Sequence, residues 1–303
     1  MRVAAIDCGT NSIRLLIAEP GPGGRLVDVV REMRIVRLGQ GVDRTGRLAP
    51  EAIERTRLAL IEYAELIDKH GASAVRMVAT SATRDAANRS EFVAMVRAVL
   101  GADPEVITGA EEAELSFAGA VAGLPGAQPP VLVADIGGGS TELVLGGAPL
   151  RSHSMDVGCV RMTERHLRND PPTAEQIAAT VADVRAALVT ASRDVPITEA
   201  ATFVGVAGTV TTLAALVLGL TSYDSAAIHG STMTAAQIHD VTARLLAMTH
   251  EQRAALPVMH PGRVDVIGGG AIVLRELVDA TGVATVVASE HDILDGIAMR
   301  LLR

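Results

Sequence analysis

The sequence predicts an α/β fold made of two similar domains, and two observations support this class. First, apolar segments with strand character alternate with helical segments along the chain. Second, an early segment, AIDCGTNSIRLLI, recurs later as ADIGGGSTELVL. The copies share an aspartate, a glycine and a serine, which pairs Asp7 with Asp135, Gly9 with Gly137 and Ser12 with Ser140. Because the copies lie about one domain length apart, we expect two domains facing each other across a cleft.

Apolar spacing and turn residues place the elements of the first domain. Pro50 suits a first helical turn and Gly71 a helix stop, so we expect a helix between them. The segment AVRMVATSATR is typical of a strand that runs into a loop, and Gly101 ends a second amphipathic helix beginning at Asn88. A short strand in PEVI and a third helix over residues 111–122 complete the domain.

Turn-forming residues mark the boundary between the domains. The segment LPGAQPP concentrates proline and glycine at 124–130, so we expect domains over 1–125 and 126–303, with the last helix packing back on the first domain. The second domain repeats the alternation of strands and helices. Its expected elements are a strand pair around DIGGGSTE, helices over 173–192 and 234–248, a strand, loop and helix around GVAGT, a glycine loop at 268–270, and a final strand and helix.

Composition excludes several classes of function. The formal net charge is −8, so the chain lacks the summed positive charge that gives affinity for nucleic-acid phosphates. Three Phe, two Tyr and no Trp are too few for a platform that stacks single-stranded bases. Lys69 is the one lysine, which excludes a phosphate loop of the form GxxxxGK followed by Ser or Thr. We therefore expect no nucleic-acid partner.

Cysteine use and hydropathy indicate a location. Cys8 and Cys159 show neither CxxC nor CxxxH spacing, so we expect a reducing compartment and no structural zinc. Asp7 comes too early for a secretion signal. The uncharged run over 200–223 contains five threonines and a glycine break, so a strand, a loop and a helix are expected there instead of a membrane span. The expected location is the cytoplasm, with no membrane partner.

The glycine turns of the repeat are suited to phosphate. Glycine lets the backbone approach an anion and lets successive N–H groups point at it, a mode of binding that needs no lysine. The expected phosphate donors are Gly9, Thr10, Asn11 and Ser12 in the first copy, Gly137, Gly138, Gly139 and Ser140 in the second, and Gly208, Thr209 and Gly269 in the further glycine loops. The aspartates that open the two loops are expected to hold water or a hydrated Mg²⁺. Ordinary turn chemistry is the alternative for either copy alone, but two copies at domain spacing favour phosphate.

Five motifs resemble one family. DCGTNSIR, TGAEEAEL at 108–115, DIGGGSTE at 135–142, GVAGT and SEHDILDG are similar to motifs of the exopolyphosphatase and guanosine pentaphosphate phosphohydrolase (Ppx/GppA) family of the actin-like superfamily. The resemblance covers essentially the whole chain. It implies duplicated actin-like (ribonuclease H-like) domains around a central cleft, Mg²⁺ dependence with Mn²⁺ as a substitute, a homodimer, and stepwise hydrolysis of the terminal phosphate of polyphosphate or pppGpp.

The resemblance also assigns roles to residues. It makes Glu112 the general base that activates water, although acidic residues also suit the first turn of a helix. Asp135, Glu142 and, through water, Asp7 are the implied metal ligands. Arg14, Thr83 and Arg84 match phosphate-binding positions, and Arg263 is a further candidate because it lies near a predicted loop. Cys8, Thr10 and Thr108 depart from the usual family residues without removing a charge or a backbone N–H.

An arginine-dense stretch leaves two interpretations open. Its members are Arg31, Arg34, Arg37, Arg44 and Arg47. Arginine forms bidentate contacts with phosphate, so a row of arginines is able to guide an anionic chain. Charged residues on an exposed strand or loop are otherwise simply solvated surface.

Four functions compete. Exopolyphosphatase is the leading prediction, and pppGpp 5′-phosphohydrolase is the closest alternative because the same loops suit either phosphate chain. An actin-like sugar or acetate kinase would bind ATP in similar loops but would leave the Glu-Glu run unexplained. A non-catalytic polyphosphate or pppGpp sensor would not need the carboxylates of Glu112 and Asp135, and both are present.

Overall fold

The chain forms two structural units, each with one mixed sheet. The computed structural model describes residues 1–22, 26–124 and 126–302. The first unit comprises Met1–Gly119 together with the segment that begins at Ile293, and the second comprises Ala120–Asp292. The second unit is therefore continuous in sequence, whereas the first is assembled from both ends of the chain.

The first sheet has five strands in the order β3-β2-β1-β4-β5. Their bounds are β1 Val3–Cys8, β2 Ser12–Pro20, β3 Leu26–Ile35, β4 Ala74–Ala79 and β5 Glu105–Val106. Strands β1, β2 and β3 form an antiparallel meander, and β1, β4 and β5 run parallel. Every residue of β1 is buried, as expected for a central strand covered on both faces.

The helices of the first unit follow the sequence signals closely. They are α1 Val42–Thr45, α2 Pro50–His70, α3 Ser81–Asp85, α4 Arg89–Leu100 and α5 Gly109–Ala122. As predicted, Pro50 begins α2, and Gly71 ends it in the left-handed conformation with φ 63°. Tyr63 fixes α2 on the sheet, because its buried hydroxyl donates to the backbone oxygen of Ile13 at 2.9 Å.

The second sheet repeats the arrangement of the first and adds one edge strand. Its bounds are β6 Val131–Ile136, β7 Thr141–Leu145, β8 Arg151–Met155, β9 Thr202–Val206, β10 Thr232–Thr234 and β11 Thr285–Ala288. Strands β6, β7 and β8 form the meander, β6, β9 and β11 run parallel, and β10 pairs antiparallel with β11. The predicted duplication is therefore visible in the order and direction of five strands.

Among the described residues, the second unit has seven α-helices, which lie between or beside these strands. They are α6 Cys159–His166, α7 Ala174–Asp194, α8 Ala207–Val217, α9 Ser225–Ile228, α10 Ala235–Ala247, α11 His250–Ala254 and α12 Ile267–Thr281. The predicted helices near 173–192 and 234–248 are confirmed as α7 and α10, each started by a threonine capping box. The prediction of a glycine loop at 268–270 is wrong, because these glycines lie in the first turn of α12.

The helix α13, Ile293–Leu301, completes the first unit. Its buried residues join one apolar cluster with Val3, Ala5 and Leu16 of the sheet and Leu115 of α5. At Gly296 the helix comes so close to α5 that an added Cβ would clash with the backbone oxygen of Leu115. A side chain at this position is therefore not tolerated without movement of one of the two helices.

The long uncharged run forms a strand and a helix. Residues 202–206 are strand β9 and residues 207–217 are helix α8, as predicted from the threonines and the glycine break. The glycine loop predicted over 205–209 is wrong, because α8 follows β9 directly. Among the residues that the structure describes, no helix combines the length and the apolar character needed to span a membrane. Cys8 and Cys159 are both buried free thiols.

Candidate active site

In the first unit, sheet topology brings three predicted segments to one edge. Strands β1, β4 and β5 are parallel, so their carboxyl ends share an edge. The loop Gly9–Asn11 follows β1, helix α3 with Thr83 and Arg84 follows β4, and helix α5 with Glu112 follows β5. The carboxyl edge of a parallel sheet is where α/β proteins usually bind ligands.

The first glycine loop is held from its carbonyl side. Gly9 donates its amide to the Ser12 oxygen at 2.9 Å, which closes the turn between β1 and β2. The carbonyl of Thr10 accepts from Gly39, and that of Asn11 accepts from Val36 and Arg37, over 2.8–3.1 Å. These bonds turn the loop carbonyls toward the segment after β3.

Backbone strain and a close contact mark the same loop. Arg37 is a non-glycine residue in the left-handed region with φ 50°, and its amide is one of the donors to Asn11. Such conformations persist where the surrounding structure enforces them, often at functional sites. The Thr10 hydroxyl lies 2.9 Å from that of Ser81, which ties the loop to the start of α3.

Asp7 and Arg14 form an ion pair across the first hairpin. They are direct cross-strand partners in β1 and β2. Nη2 and Nε of Arg14 donate to the same oxygen of Asp7, Oδ2, at 2.6 and 3.1 Å. The predicted metal ligand and the predicted phosphate ligand are thus in contact, and the protein itself supplies a cation for the Asp7 carboxylate.

Glu112 is buried in the first turn of α5 and is held by Arg84. Nη1 of Arg84 donates to Oε2 of Glu112 and to the backbone oxygen of Ile107, each at 3.1 Å. Arg84 therefore fixes the carboxylate against the connection between β5 and α5. The neighbouring Thr83 is fully buried, and its hydroxyl has no hydrogen-bond partner within the described part of the chain.

The second glycine loop has the same construction. Gly137 donates its amide to the Ser140 oxygen at 3.0 Å, as Gly9 does to Ser12. The N-terminus of α6 hydrogen-bonds to the loop carbonyls. The amide of Cys159 donates to the Gly137 oxygen at 2.9 Å, and the amide of Val160 donates to the Gly138 oxygen at 2.8 Å.

The opposite side of this loop presents donors. Nε of Arg161 donates to the Gly139 oxygen at 2.6 Å, so the carbonyl side is bound at a third point. The amides of Gly138 and Gly139 donate to no other group in the ranges that the structure describes. Adjacent amides presented in this way form a nest that suits a phosphate oxygen.

Asp135 and Glu142 are a buried carboxylate pair suited to Mg²⁺. They are direct cross-strand partners in β6 and β7, and their exposed fractions are 7% and 1%. Hard divalent cations prefer such oxygen ligands. No cluster of three or more His, Cys, Asp or Glu side chains arranged for a metal occurs among the described residues. Two carboxylates suit a cation that takes its remaining ligands from water and substrate oxygens, as Mg²⁺ usually does.

A third group of predicted residues meets at the start of α8. Gly208 lies under the Arg263 guanidinium, where any Cβ would clash, and Nη1 of Arg263 donates to the Thr212 hydroxyl at 2.9 Å. The preceding Ala207 has a positive φ of 67°. Thr209 is buried beside Cys159, so the structure brings Gly208, Thr209 and Arg263 together as one polar cluster.

Gly269 has a packing role in the structure. A Cβ at this position would lie 2.7 Å from the Thr163 hydroxyl and 2.8 Å from the Cys159 oxygen. Glycine is needed here for the contact between α12 and α6. Participation of Gly269 in phosphate binding stays a prediction.

The arginine-dense stretch is largely engaged with carboxylates. Arg31 contacts Asp28 and Asp295 at 2.7 Å each, and Arg34 contacts Glu32 at 2.7 Å. Arg47 pairs with Glu91 at 3.3 Å on the surface. The exposed pairs of Arg34 and Arg47 support the interpretation as solvated surface. Arg31 differs, because its partner Asp295 is a buried residue of α13 and the pair therefore joins β3 to that helix.

The sequence analysis did not identify three residues that shape the second loop. Ser154 donates its hydroxyl to Oε1 of Glu142 at 2.7 Å, Arg161 binds Gly139, and Gly158 packs on the loop, with a Cβ position only 2.5 Å from the Gly138 oxygen. Counting register across a three-strand meander would have placed Ser154 opposite Glu142. No sequence signal points to Arg161 or Gly158.

Comparison with known proteins gives consistent matches. The model of the Ppx/GppA phosphatase family matches residues 16–303. Exopolyphosphatase 2 of Mycobacterium tuberculosis is 59% identical, over 99% of this chain and 98% of its own length. A solved exopolyphosphatase-like protein is 45% identical with a TM-score of 0.94 over the full length of both chains. The Aquifex aeolicus PPX-GPPA enzyme is 34% identical with a TM-score of 0.82 over 99% of each chain.

Proposed function

Because the chain belongs to the Ppx/GppA phosphatase family, we propose that it is an exopolyphosphatase, which releases terminal orthophosphate from inorganic polyphosphate. The resemblance seen in the motifs is confirmed by the family match. The duplicated α/β fold is confirmed by the two mixed sheets, and the solved Ppx/GppA relatives share the fold of this chain. The observation that carries the proposal is the buried Glu112, which Arg84 fixes at the sheet edge that also bears the first glycine loop.

Glu112 acts as the base for water in this proposal. Hydrolysis of a phosphoric anhydride requires an aligned water and neutralisation of charge on the phosphoryl oxygens. The water oxygen forms a bond to the terminal phosphorus while the bond from that phosphorus to the bridging oxygen breaks. Glu112 takes the proton of the water, and the electron pair of the broken bond stays with the shortened polyphosphate. A positioned base of this kind contributes about 10²–10⁴ in rate.

Backbone amides and arginines bind the phosphate oxygens. The amides of Gly138 and Gly139 form the nest in the second unit, and the Arg263 guanidinium lies over Gly208. In the first unit, Arg14 provides a guanidinium whose orientation is set by Asp7. Preorganised donors of this type stabilise developing charge without reorganisation during the reaction.

Asp135 and Glu142 would hold Mg²⁺, or Mn²⁺ in its place. When bound, the ion would supply positive charge to substrate oxygens. Asp7 was expected to contribute through water, but its contact with Arg14 supports a role in orienting that arginine. Addition of EDTA should abolish activity and excess Mg²⁺ should restore it.

A phosphate-release assay tests the proposed activity. We expect orthophosphate release from polyphosphate in the presence of Mg²⁺, and no ATP consumption dependent on a sugar or acetate acceptor. Polyphosphates of several lengths, pppGpp and ATP should be compared at matched concentration. Preferential hydrolysis of pppGpp would assign the alternative activity, and tight binding without release would assign a sensor.

The substitution Glu112→Gln tests the base. It keeps the shape of the side chain but removes the proton acceptor, so kcat should fall at least a hundredfold while polyphosphate binding persists. Glu114→Gln, in the same helix with a half-exposed side chain, is the matched control and should keep kcat within about twofold. Near wild-type turnover of Glu112→Gln would rule out the assignment.

We propose in addition a cytoplasmic homodimer without a nucleic-acid or membrane partner. The net charge of −8 supports the absence of nucleic acid, and the two buried free thiols are compatible with a reducing compartment. Size-exclusion chromatography with light scattering tests the dimer, and a monomer mass at working concentration would exclude it.

A further inference from the structure

Three polar residues occupy one row across the second sheet. Asp135 of β6 is opposite Glu142 of β7, and Glu142 is opposite Ser154 of β8. Directly opposed residues of a sheet project to the same face. The Ser154 hydroxyl donates to Oε1 of Glu142 at 2.7 Å, the distance of a strong hydrogen bond to a carboxylate.

The first sheet carries a different set at the equivalent positions. There Asp7 is opposite Arg14, and Arg14 is opposite Met33. The guanidinium of Arg14 orients the Asp7 carboxylate and balances its charge. The second copy has Glu142 in the position of Arg14 and Ser154 in the position of Met33.

This exchange leaves two carboxylates directly opposite each other. Like charges at opposed strand positions repel, and burial strengthens the repulsion. A divalent cation bound by both carboxylates would remove this repulsion, and it binds more tightly when the side chains are already held in a binding arrangement. For Glu142, the hydrogen bond from the Ser154 hydroxyl holds the carboxylate in place.

We propose that Ser154 is a positioning residue for the metal site: its hydrogen bond fixes the Glu142 carboxylate before the cation binds. The inference rests on the proposed function, in which Asp135 and Glu142 hold Mg²⁺. Groups that orient metal ligands in this way change metal affinity by 10- to 100-fold when removed. Ser154→Ala should therefore weaken divalent-cation binding about tenfold.

Binding of Mn²⁺ to the substrate-free protein is the direct test. Free Mn²⁺ is measured by electron paramagnetic resonance in a titration of wild type, Ser154→Ala and Ser154→Thr. We expect about a tenfold higher Kd for Ser154→Ala and recovery for Ser154→Thr, which keeps a hydroxyl. Ser152→Ala is the matched control, because Ser152 lies on the same strand face opposite Val144 and should leave Kd unchanged.

Activity gives a second and independent reading. The Mg²⁺ concentration for half-maximal activity should rise about tenfold in Ser154→Ala, while KM for polyphosphate at saturating Mg²⁺ should stay within twofold. A lowered Tm with equal loss in Ser154→Thr would show a merely structural role and overturn the inference.

The controls separate this inference from the proposed function. Asp135→Asn and Glu142→Gln should abolish Mn²⁺ binding. If they do and Ser154→Ala binds Mn²⁺ as the wild type does, the positioning role is wrong and the metal assignment stands. If neither changes Mn²⁺ binding, the metal assignment itself fails, and the role of Ser154 fails with it.

Discussion

At the scale of single residues, the two hairpins place opposite charges at matching positions. Asp7 is neutralised by Arg14, whereas Asp135 is opposite a second carboxylate, Glu142. The first hairpin is therefore suited to an anion held by a guanidinium, and the second to a cation. The two hairpins thus share one backbone arrangement but carry opposite charges at the position of Arg14 and Glu142.

Removal of the Asp7 charge should act on substrate binding more than on the metal. In Asp7→Asn the carboxylate that holds Arg14 is lost, so we expect KM for polyphosphate to rise about tenfold. The Mg²⁺ concentration for half-maximal activity should change less than twofold. Asp28→Asn, which affects the surface partner of Arg31, is the control. A large shift in Mg²⁺ dependence would instead identify Asp7 as a metal ligand.

Cys159 should be nearly inert toward thiol reagents in the native protein. Burial raises the pKa of Cys159 to about 11, although Arg263 and a hydrogen bond with Thr209 partly oppose the shift. At pH 8 about one thiol in a thousand is then ionised, and only the thiolate reacts. A Cys8→Ala variant should react slowly with Ellman's reagent when native and rapidly after unfolding in urea. Fast stoichiometric labelling of the native variant would contradict the burial.

At the scale of elements, helix α6 supports the second glycine loop. Its first amides bind the loop carbonyls, and Gly158 permits the approach, with a Cβ position 2.5 Å from the Gly138 oxygen. The geometry of the nest thus depends on a helix that follows it by two strands.

Gly158→Ala should damage activity through the loop. The added methyl must displace Gly137 or Gly138, because backbone atoms cannot yield as a flexible side chain does. We expect kcat/KM for polyphosphate to fall at least a hundredfold, with a lower Tm. Gly147→Ala is the control, since its Cβ would meet the Pro149 oxygen at an ordinary 3.6 Å. Equal kinetics for both variants would disprove the supporting role.

Elements with strong local signals could be predicted from the sequence, and those defined by tertiary contacts could not. The caps of α2 and α7 are encoded in Pro50, Gly71 and Thr173. Strand β8 is polar, RSHSM, and takes its form from pairing with β7. Glycines cost helical stability, so residues 268–270 favour a loop locally, yet Gly269 and Gly270 are required for packing against α6 and Thr209.

The site was predictable to the same extent. The glycine loops and their aspartates follow from the repeat, whereas the proposal of Glu112 as general base follows only from the family resemblance. The pairing of Asp7 with Arg14 depends on the hairpin register and on the rotamers of both side chains. The pairing of Glu112 with Arg84 joins segments 28 residues apart, which residue patterns do not encode.

At the scale of the whole chain, the first unit depends on its C-terminal helix. Helix α13 packs on the sheet and on α5, the helix that carries Glu112. The contact at Gly296 lies one turn beyond Glu112, next to Leu115.

Gly296→Ala should therefore lower both stability and turnover. Overpacking at a backbone contact costs about 1–3 kcal/mol, and the displaced α5 moves the Glu112 carboxylate. Thermal unfolding and kcat should both fall, with kcat reduced about tenfold or more. Arg300→Ala is the control, since it removes only surface ion pairs with Glu111 and Glu114. A stable Gly296→Ala variant with normal kcat would refute this coupling.

The split of the first unit has a consequence for biosynthesis. Translation proceeds from the N-terminus, and domains generally fold as they emerge. The apolar face formed by Val3, Ala5 and Leu16 leaves the ribosome early, but its cover, α13, is made only after the entire second unit. The first unit is therefore begun before the second unit but completed only after it. A chain stalled before residue 293 leaves this apolar surface exposed, and chaperones bind exposed apolar surfaces.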